Sequence, residues 1–395
     1  MIPMNWFRWC VAASCIVFSG TLQAADDANL APALEKVRSV GAKGEGHREA
    51  VAAVKVVARA DLAQLTQILA AMDGASLYAE NWLRGAAEAV AQRAVEDGQK
   101  LPVAELQKFL AETRHSPRGR RLAFELIASV DPSAESRLIP GLIDDPSLEL
   151  RRDAVAQLLS HADGEKATDK EAALPKYRKA FESSRDLDQI KASAAKLKEY
   201  GEVADIAGHM GYVMSWKLIG PFDNVDDIGW ETAYQPENTI DLSAKIEGQK
   251  GTVAWTSHTT ADPYGEVDIA KAIGIHKGAV AYAYAELLVD KPQACELRLG
   301  SPNANKIWLN GELLSAYHVY HAGDKIDQYI GRGRLVAGKN VILLKILQNE
   351  QKEDWAQKWR FQLRVCDAIG TPILSKDRPK FTPPADPPKA AAATN

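Results

Sequence analysis

"NKIWLNGELL", residues 305–314, decides the fold of the second half of this chain. Ile307 and Leu309 flank Trp308, Asn310 and Gly311 interrupt the run, and Leu313 and Leu314 resume it. Asn followed by Gly tolerates the positive backbone angles of a tight two-residue hairpin. "KIWL" and "ELLSAY" are therefore predicted to be consecutive strands, with Ile307 and Leu309 entering a core and Trp308 pointing to the opposite face.

The same grammar extends in both directions. After Gly211, turn residues recur every eight to twelve positions, and the runs between them alternate with period two: "SWKLIG", "TVAWTSH", "AVAYAYAELLV", "ACELRLGS", "NVILLKIL" and "WRFQLRV". Short strands at that spacing predict an antiparallel sandwich or jelly roll. Gly338, Lys339 and Asn340 make a turn, after which Ile342, Leu344 and Ile346 enter the core while Lys345 faces outward. "GRGR", residues 331–334, reads as a turn between strands. Trp359, in phase with Phe361, reads as core. Cys295 falls in phase with Leu297 and Leu299, but Cys366 with Gln362 and Arg364, so one thiol faces a core, the other does not, and two separate thiols are favoured over a bridge.

Upstream the period changes. From about 26 to 200 the chain is rich in Ala, Leu, Glu, Lys and Arg, with apolar residues three and four apart, as in "LAFELIASV" and "DAVAQLLSHA". That is the pattern of amphipathic helices. An arginine followed by a small residue recurs at Arg48, Arg84, Arg120 and Arg151, at intervals of 36, 36 and 31 residues. Near-constant spacing marks stacked helix pairs that cannot bury their apolar faces singly. In "LIPGLIDDPSLELRRDAVAQLL", Asp144, Asp145, Pro146 and Ser147 end one helix and open the next, with Ser147 expected to accept the free amides. This stretch resembles the HEAT repeat family over 25–162, with 163–210 as a charged helical connector whose apolar stripe is Tyr177, Phe181, Ile190, Ala194 and Leu197.

The order "ELRLGSPNANKIWLNGELL", "RGRLVAGKNVILLKILQ", "WRFQLRVCDAIGTPI" resembles the galactose-binding-like jelly-roll domain of sugar-binding type that accompanies many bacterial glycoside hydrolases. The preceding "MSWKLIGPFDN" to "YGEVDI" resembles strands attached to it in exported bacterial proteins. The resemblance covers about 212–374 and implies a fold more than a ligand, because such domains bind sugars, bind proteins or brace a neighbour.

The N-terminus carries Arg8, then the apolar run "WCVAASCIVFSG", then "TLQAADD" with Leu22 and Ala24 at the cleavage positions. Residues 1–24 read as a signal peptide, too short to span a bilayer, so the mature chain is expected to be exported, periplasmic or extracellular, with no membrane span. The organisation predicted is 25–162 helical repeats, 163–210 connector, 211–376 β-sandwich and a disordered Pro/Ala-rich tail at 377–395. The fold class is thus multidomain α + β, an α-solenoid followed by an antiparallel β-sandwich or jelly roll. A net charge of −4 argues against nucleic acid as a partner.

No nucleophile elbow, H-E-x-x-H or phosphate-cradling glycine loop is present, and no sequence feature pairs two carboxylates across a cleft. The chain is expected to be a non-catalytic binding or scaffold protein without a cofactor. Its helical repeats would dock a protein partner, and its jelly roll would bind a glycan or a surface. The alternatives are a purely structural cell-envelope protein and a glycan-active hydrolase. Glycan recognition needs aromatic platforms with a few placed polar groups; the candidates are Trp308, Asn310, Tyr317, His318, Tyr320, His321, Asp324 and Trp355. His318, His321 and Asp324 also form the best transition-metal pattern. "FDNVDDIGW" gathers Asp223, Asn224, Asp226 and Asp227 as oxygen ligands for a structural calcium, against the alternative of an Asx-rich turn.

Overall fold

In the computed structural model, residues 27–323 and 325–383 are described. The signal peptide expected at 1–24, Asp324 and most of the tail lie outside them. The chain divides into two compact units between Glu135 and Ser136, a boundary inside the segment 25–162 expected to form one helical domain.

The first unit is helical: α1 (Asp27–Arg38), α2 (His47–Val57), α3 (Leu65–Ala70), α4 (Leu77–Glu96), α5 (Val103–Ala111) and α6 (Pro117–Val130), with α7 (Ala134–Leu138) at the division. Helix ends leave carbonyls without intrahelical donors, and arginines supply them. Arg93 donates to the carbonyls of Ala58 and Ala60, each at 2.6 Å, and Arg38 to that of Ala71 at 2.8 Å. Arg120, fully buried, donates Nε to the Leu110 carbonyl at 2.7 Å. Arg84, read as its equivalent, is instead half-exposed and pairs with Glu125 and Glu88 at 2.6 and 3.0 Å. Arg48 is exposed. The turn before α6 is tied down by Asp73, which accepts the Ser116 amide at 2.6 Å and contacts His115 Nδ1 at 2.7 Å.

The second unit opens with α8 (Leu148–Lys166), α9 (Lys170–Ser183), α10 (Leu187–Lys198) and the short α11 (Ile206–Met210). Buried Arg151 donates to the carbonyls of Asp145 and Asp144 at 2.7 and 2.8 Å. Ser147 stands at the N-cap of α8 without making the side-chain bond expected of it; Asp145 accepts the Ser147 amide instead, at 2.8 Å. Tyr177, Ile190 and Leu197 are buried, with Phe181 and Ala194 half-buried.

Strands follow: β1 (Ser215–Asp223), then α12 (Gln235–Asn238), β2 (Lys245–Gly248), β3 (Gly251–Ala254), β4 (Thr256–Thr259), β5 (Val267–Asp268) and α13 (Ile269–Ile273). The remainder is β6 (Ala279–Val289), β7 (Gln293–Gly300), β8 (Ala304–Leu309), β9 (Glu312–Tyr317), β10 (Tyr329–Leu335), β11 (Gly338–Gln348) and β12 (Arg360–Cys366). They form a six-stranded sheet, β4-β1-β6-β11-β8-β9, a four-stranded sheet, β10-β7-β12-β5, and the separate pair β2-β3, with antiparallel pairing throughout. One apolar core joins the two sheets: Ala281, Ala283, Ile307, Leu309, Ile342, Leu344 and Ile346 from the first meet Leu297, Leu299, Leu363 and Val365 from the second. Trp359 belongs to this core, and its indole donates to the Ile346 carbonyl at 3.2 Å.

Three expectations about these strands are corrected. "GRGR" is not a turn but the middle of β10, paired with β7 from Tyr329↔Leu299 to Leu335↔Gln293. Its glycines face Leu314: a Cβ at Gly331 would come within 2.9 Å of Leu314 Cβ, so the inward positions must be bare for β9 to pack across them. Cys366 shares a strand face with Gln362 and Arg364 as expected, yet that face is covered, and both Cys295 and Cys366 are buried free thiols. Burial pushes each thiol up to about 11.

Lys345 points away from the sandwich core but is 0% exposed. The excursion from Asn224 to Trp255 lays a second apolar layer over the outer face of the six-stranded sheet, where Phe222, Tyr282, Tyr284, Leu343 and Leu347 meet Trp230, Tyr234, Ile246, Val253, Trp255 and Trp308. Lys345 Nζ donates to Glu237 Oε1 at 2.6 Å and to the Thr232 carbonyl at 2.7 Å, and lies 5.6 and 5.7 Å from the Tyr234 and Tyr282 ring centroids. The Tyr282 hydroxyl donates to the same Glu237 oxygen. Burial holds the Lys345 pKa below the ordinary lysine range even with Glu237 opposing it.

A buried ion pair loses more when one partner is removed than when both are replaced. Glu237→Gln is expected to destabilise the second unit by about 3 kcal/mol, and adding Lys345→Met to recover most of that loss, both read as shifts in the urea unfolding midpoint. A pH effect comes from His209, whose ring packs on Phe181 at 4.5 Å and whose Nε2 donates to the Ser184 carbonyl at 2.9 Å. Burial, and then nearby Arg185, lower its pKa from the usual 6.5. The folded state therefore binds fewer protons than the unfolded chain just below that pH. Its contribution is present above pH 6.5 and is lost as the pH falls through the depressed folded pKa. The unfolding midpoint should decline between about pH 7 and about pH 5, and less steeply in His209→Gln.

Candidate functional site

The outer layer begins with a turn that organises the candidate ligand residues. A 3-10 segment, Val225–Trp230, follows β1, and within it Asp226 and Asp227 adopt left-handed angles, φ 52° and 62°. Aspartate tolerates that region better than most residues with a Cβ. The Asp226 amide donates to Glu350 at 3.0 Å and the Val225 amide to Asp223 at 3.0 Å.

This turn meets the segment after β9. Tyr320, its hydroxyl buried between two partners, donates to Asp227 Oδ1 at 2.5 Å and accepts from Asn224 Nδ2 at 3.0 Å. Burial, then the bond to Asp227, raises the Tyr320 pKa above the ordinary phenol range, so the hydroxyl stays protonated. His318 Nε2 reaches the other Asp227 oxygen at 2.5 Å, and its ring stacks on Trp230 at 4.3 Å with 5° between planes. Lys306 donates to the Trp230 carbonyl at 2.7 Å and lies 4.5 Å from the Trp230 ring centroid. His321, at φ 57°, bonds Asn349 through Nε2 at 3.1 Å and meets Trp355 edge-on at 4.8 Å.

The outcome is a continuous ladder of five rings: Trp230, His318, Tyr320, His321 and Trp355, with successive centroids 4.3, 5.8, 6.3 and 4.8 Å apart. Trp355 is 60% exposed and the side chains of His318 and Asp227 are 40% and 42% exposed. Ring faces and half-exposed carboxylate oxygens together offer an apolar platform with a few polar groups.

The oxygen-rich turn at 223–227 and the rings of His318 and Tyr320, separate in the sequence, meet in the fold. Asp227 is taken by Tyr320 and His318, Asn224 donates its amide to Tyr320 and the Gln348 carbonyl, and Asp223 accepts the Val225 amide of the turn. His318 and His321 turn to different partners, and among the described residues no group of three or more His, Cys, Asp or Glu could hold a metal ion. The "FDNVDDIGW" segment forms the 3-10 turn Val225–Trp230, in which Asp226 and Asp227 take left-handed backbone angles.

Other candidates lie elsewhere. Trp308 is half-buried in the outer apolar layer. Tyr317 stacks on Tyr329 at 4.5 Å. Asn310 holds the hairpin turn at φ 51° and clamps β11, accepting the Val341 amide at 2.8 Å and donating to Asn340 at 2.9 Å. Trp230, Lys306 and Asn349 were not singled out; the Trp closing "FDNVDDIGW" was the signal for the first, while nothing local marks the other two.

No family model matches the chain, and no curated protein matches it. Solved structures similar to parts of it include a β-glucosidase from Kluyveromyces marxianus, at 10% identity over 41% of this chain and 18% of that one, with a TM-score of 0.25. A family 35 carbohydrate binding module from Clostridium thermocellum is similar at 11% identity over 24% of this chain and 81% of that one, TM-score 0.16. A GH31 α-xylosidase from Xanthomonas citri is similar at 10% identity over 38% and 16%, TM-score 0.19. The chain spans less than a fifth of the β-glucosidase it matches, and likenesses of this size carry no argument about its activity.

Tyr320→Phe removes the hydroxyl shared by Asp227 and Asn224. It is expected to cost about 1–2 kcal/mol of unfolding free energy, measured by urea titration, with a smaller loss in Asp227→Asn because the amide still accepts from Tyr320.

Proposed function

We propose that this chain is an exported, non-catalytic binding protein whose β-sandwich is a galactose-binding-like domain and whose aromatic ladder takes a glycan. The observation that carries the reading is the exposed Trp355 ring at the end of a ladder in which His318, Tyr320 and His321 are held by Asp227 and Asn349. Preorganised rings lose little conformational freedom on binding. The C–H face of a pyranose would lie on Trp355, with its hydroxyls toward Asn349, His321 and Asp227.

On the same reading, the helices of 25–162 are HEAT-like repeats that dock a protein partner. Arg120 and Arg151 support this: they lie 31 residues apart, both are buried, and both donate Nε to a carbonyl in the segment before their own helix.

A glycan array and calorimetry on the whole chain test the glycan reading. Trp355 is exposed, so Trp355→Ala should change stability by no more than about 0.5 kcal/mol. Binding of the best glycan should nevertheless weaken by about tenfold or more. Equal binding by the variant would remove the ladder from the site, and no binding by the wild type would turn the reading toward a purely structural protein.

A further inference from the structure

A second site lies within the same unit, away from the ladder. A cleft of about 650 Å³ runs between the start of α10, the end of α11, the loop before β5 and the outer face of the four-stranded sheet. That volume falls within the roughly 300–1,000 Å³ of small-molecule sites.

Its charges do not cancel. Asp327 is engaged by Arg364, and by Arg298 at 3.0 Å; Glu266 pairs with Arg360 at 2.9 Å; Asp186 pairs with Arg152 at 3.2 Å. Three cations of the lining remain without a carboxylate partner among the described residues: Arg185, Lys191 and Lys325. The one remaining carboxylate, Asp262, spends Oδ1 on the backbone amides of Tyr264 and Glu266, at 2.8 and 3.3 Å.

Arg185 is the anomaly. Its Nη1 donates to the carbonyls of Glu182 and Ser184 at 3.0 and 2.8 Å, but its Nε is enclosed with no acceptor at all. An enclosed donor of a charged group without a partner is costly and rare in folded proteins. Burial, and then neighbouring Arg151, lower its pKa, and an anion beside the guanidinium would offset the repulsion from Arg151. Lys191 lies over the Tyr264 ring at 5.1 Å, which holds its ammonium on the cleft wall without neutralising it.

We propose that this cleft binds a small polar ligand through an oxyanion, a carboxylate, sulfate or phosphate group, seated at Arg185 between Lys191 and Lys325. Guanidinium and ammonium donors favour such groups through charge-assisted hydrogen bonds. Asp262 keeps Oδ2 for a ligand hydroxyl, which fits an acidic sugar better than a bare ion.

The test is calorimetric titration of the whole chain at constant ionic strength with D-glucuronate, sodium sulfate and inorganic phosphate, with D-glucose as the uncharged control. Saturable binding of at least one anion below about 20 mM is expected, weakened by about tenfold in Arg185→Gln. The arm that binds most tightly names the group. Lys191→Gln with Lys325→Gln, both exposed in the wild type, serves if Arg185→Gln does not fold by circular dichroism, and the same loss is expected there. Trp355→Ala should leave anion binding unchanged, which keeps this site separate from the ladder. Absence of binding in every arm, or equal binding by the Lys191→Gln, Lys325→Gln variant, would overturn the proposal.

Discussion

The structure of the second unit depends on burying both faces of one strand pair. β6 and β11 run side by side through the six-stranded sheet in uninterrupted register from Gly338↔Val289 to Gln348↔Ala279. One face supplies the sandwich core, and the other would be an apolar sheet surface open to water without the excursion from Asn224 to Trp255. An antiparallel sheet with one solvated face alternates apolar and polar residues, whereas a sheet covered twice reads as a nearly continuous apolar run. "AVAYAYAELLV" is such a run, and the small alanines on its core side leave room for the leucines and isoleucines opposite.

The second cover explains the one charge it encloses. Lys345 occupies an outward position on β11 that would be solvated in a one-sided sheet; here it is desolvated and survives because Glu237 and the Thr232 carbonyl come from the covering segment. The ion pair fastens cover to sheet. The same cover begins with the turn that carries Asp227 and Trp230, so the ladder is held by the element that seals the sheet. Fold and candidate site therefore share one support, which is why most ladder residues are poor places for a test of binding alone and exposed Trp355 is a good one.

In the helices the recurring device is different. Arginines at helix ends take carbonyls that have lost their intrahelical donors, as Arg93, Arg120 and Arg151 do, and the buried guanidiniums of Arg120 and Arg151 replace hydration with protein acceptors. Arg185 departs from this pattern in having one enclosed donor left over, and that departure marks the cleft.

Local alternation and turn chemistry were enough to read the strands from "NKIWLNGELL" outward, the helical first half, the core directions of Ile307, Leu309, Ile342 and Leu344, and the place of Trp359. These are legible because side-chain direction in a strand or helix follows from backbone period alone. β10 escaped because its glycines answer to Leu314, a residue of another strand, and Lys345 and Cys366 were aimed correctly but assigned to water because coverage by distant segments leaves no local trace. For the same reason the sequence held the parts of the ladder as two unrelated clusters, one near 225 and one near 320. Only the tertiary structure, by laying the 224–255 segment across the sheet, could join Asp227 to Tyr320 and His318, since a contact across some ninety residues is set by packing and not by spacing.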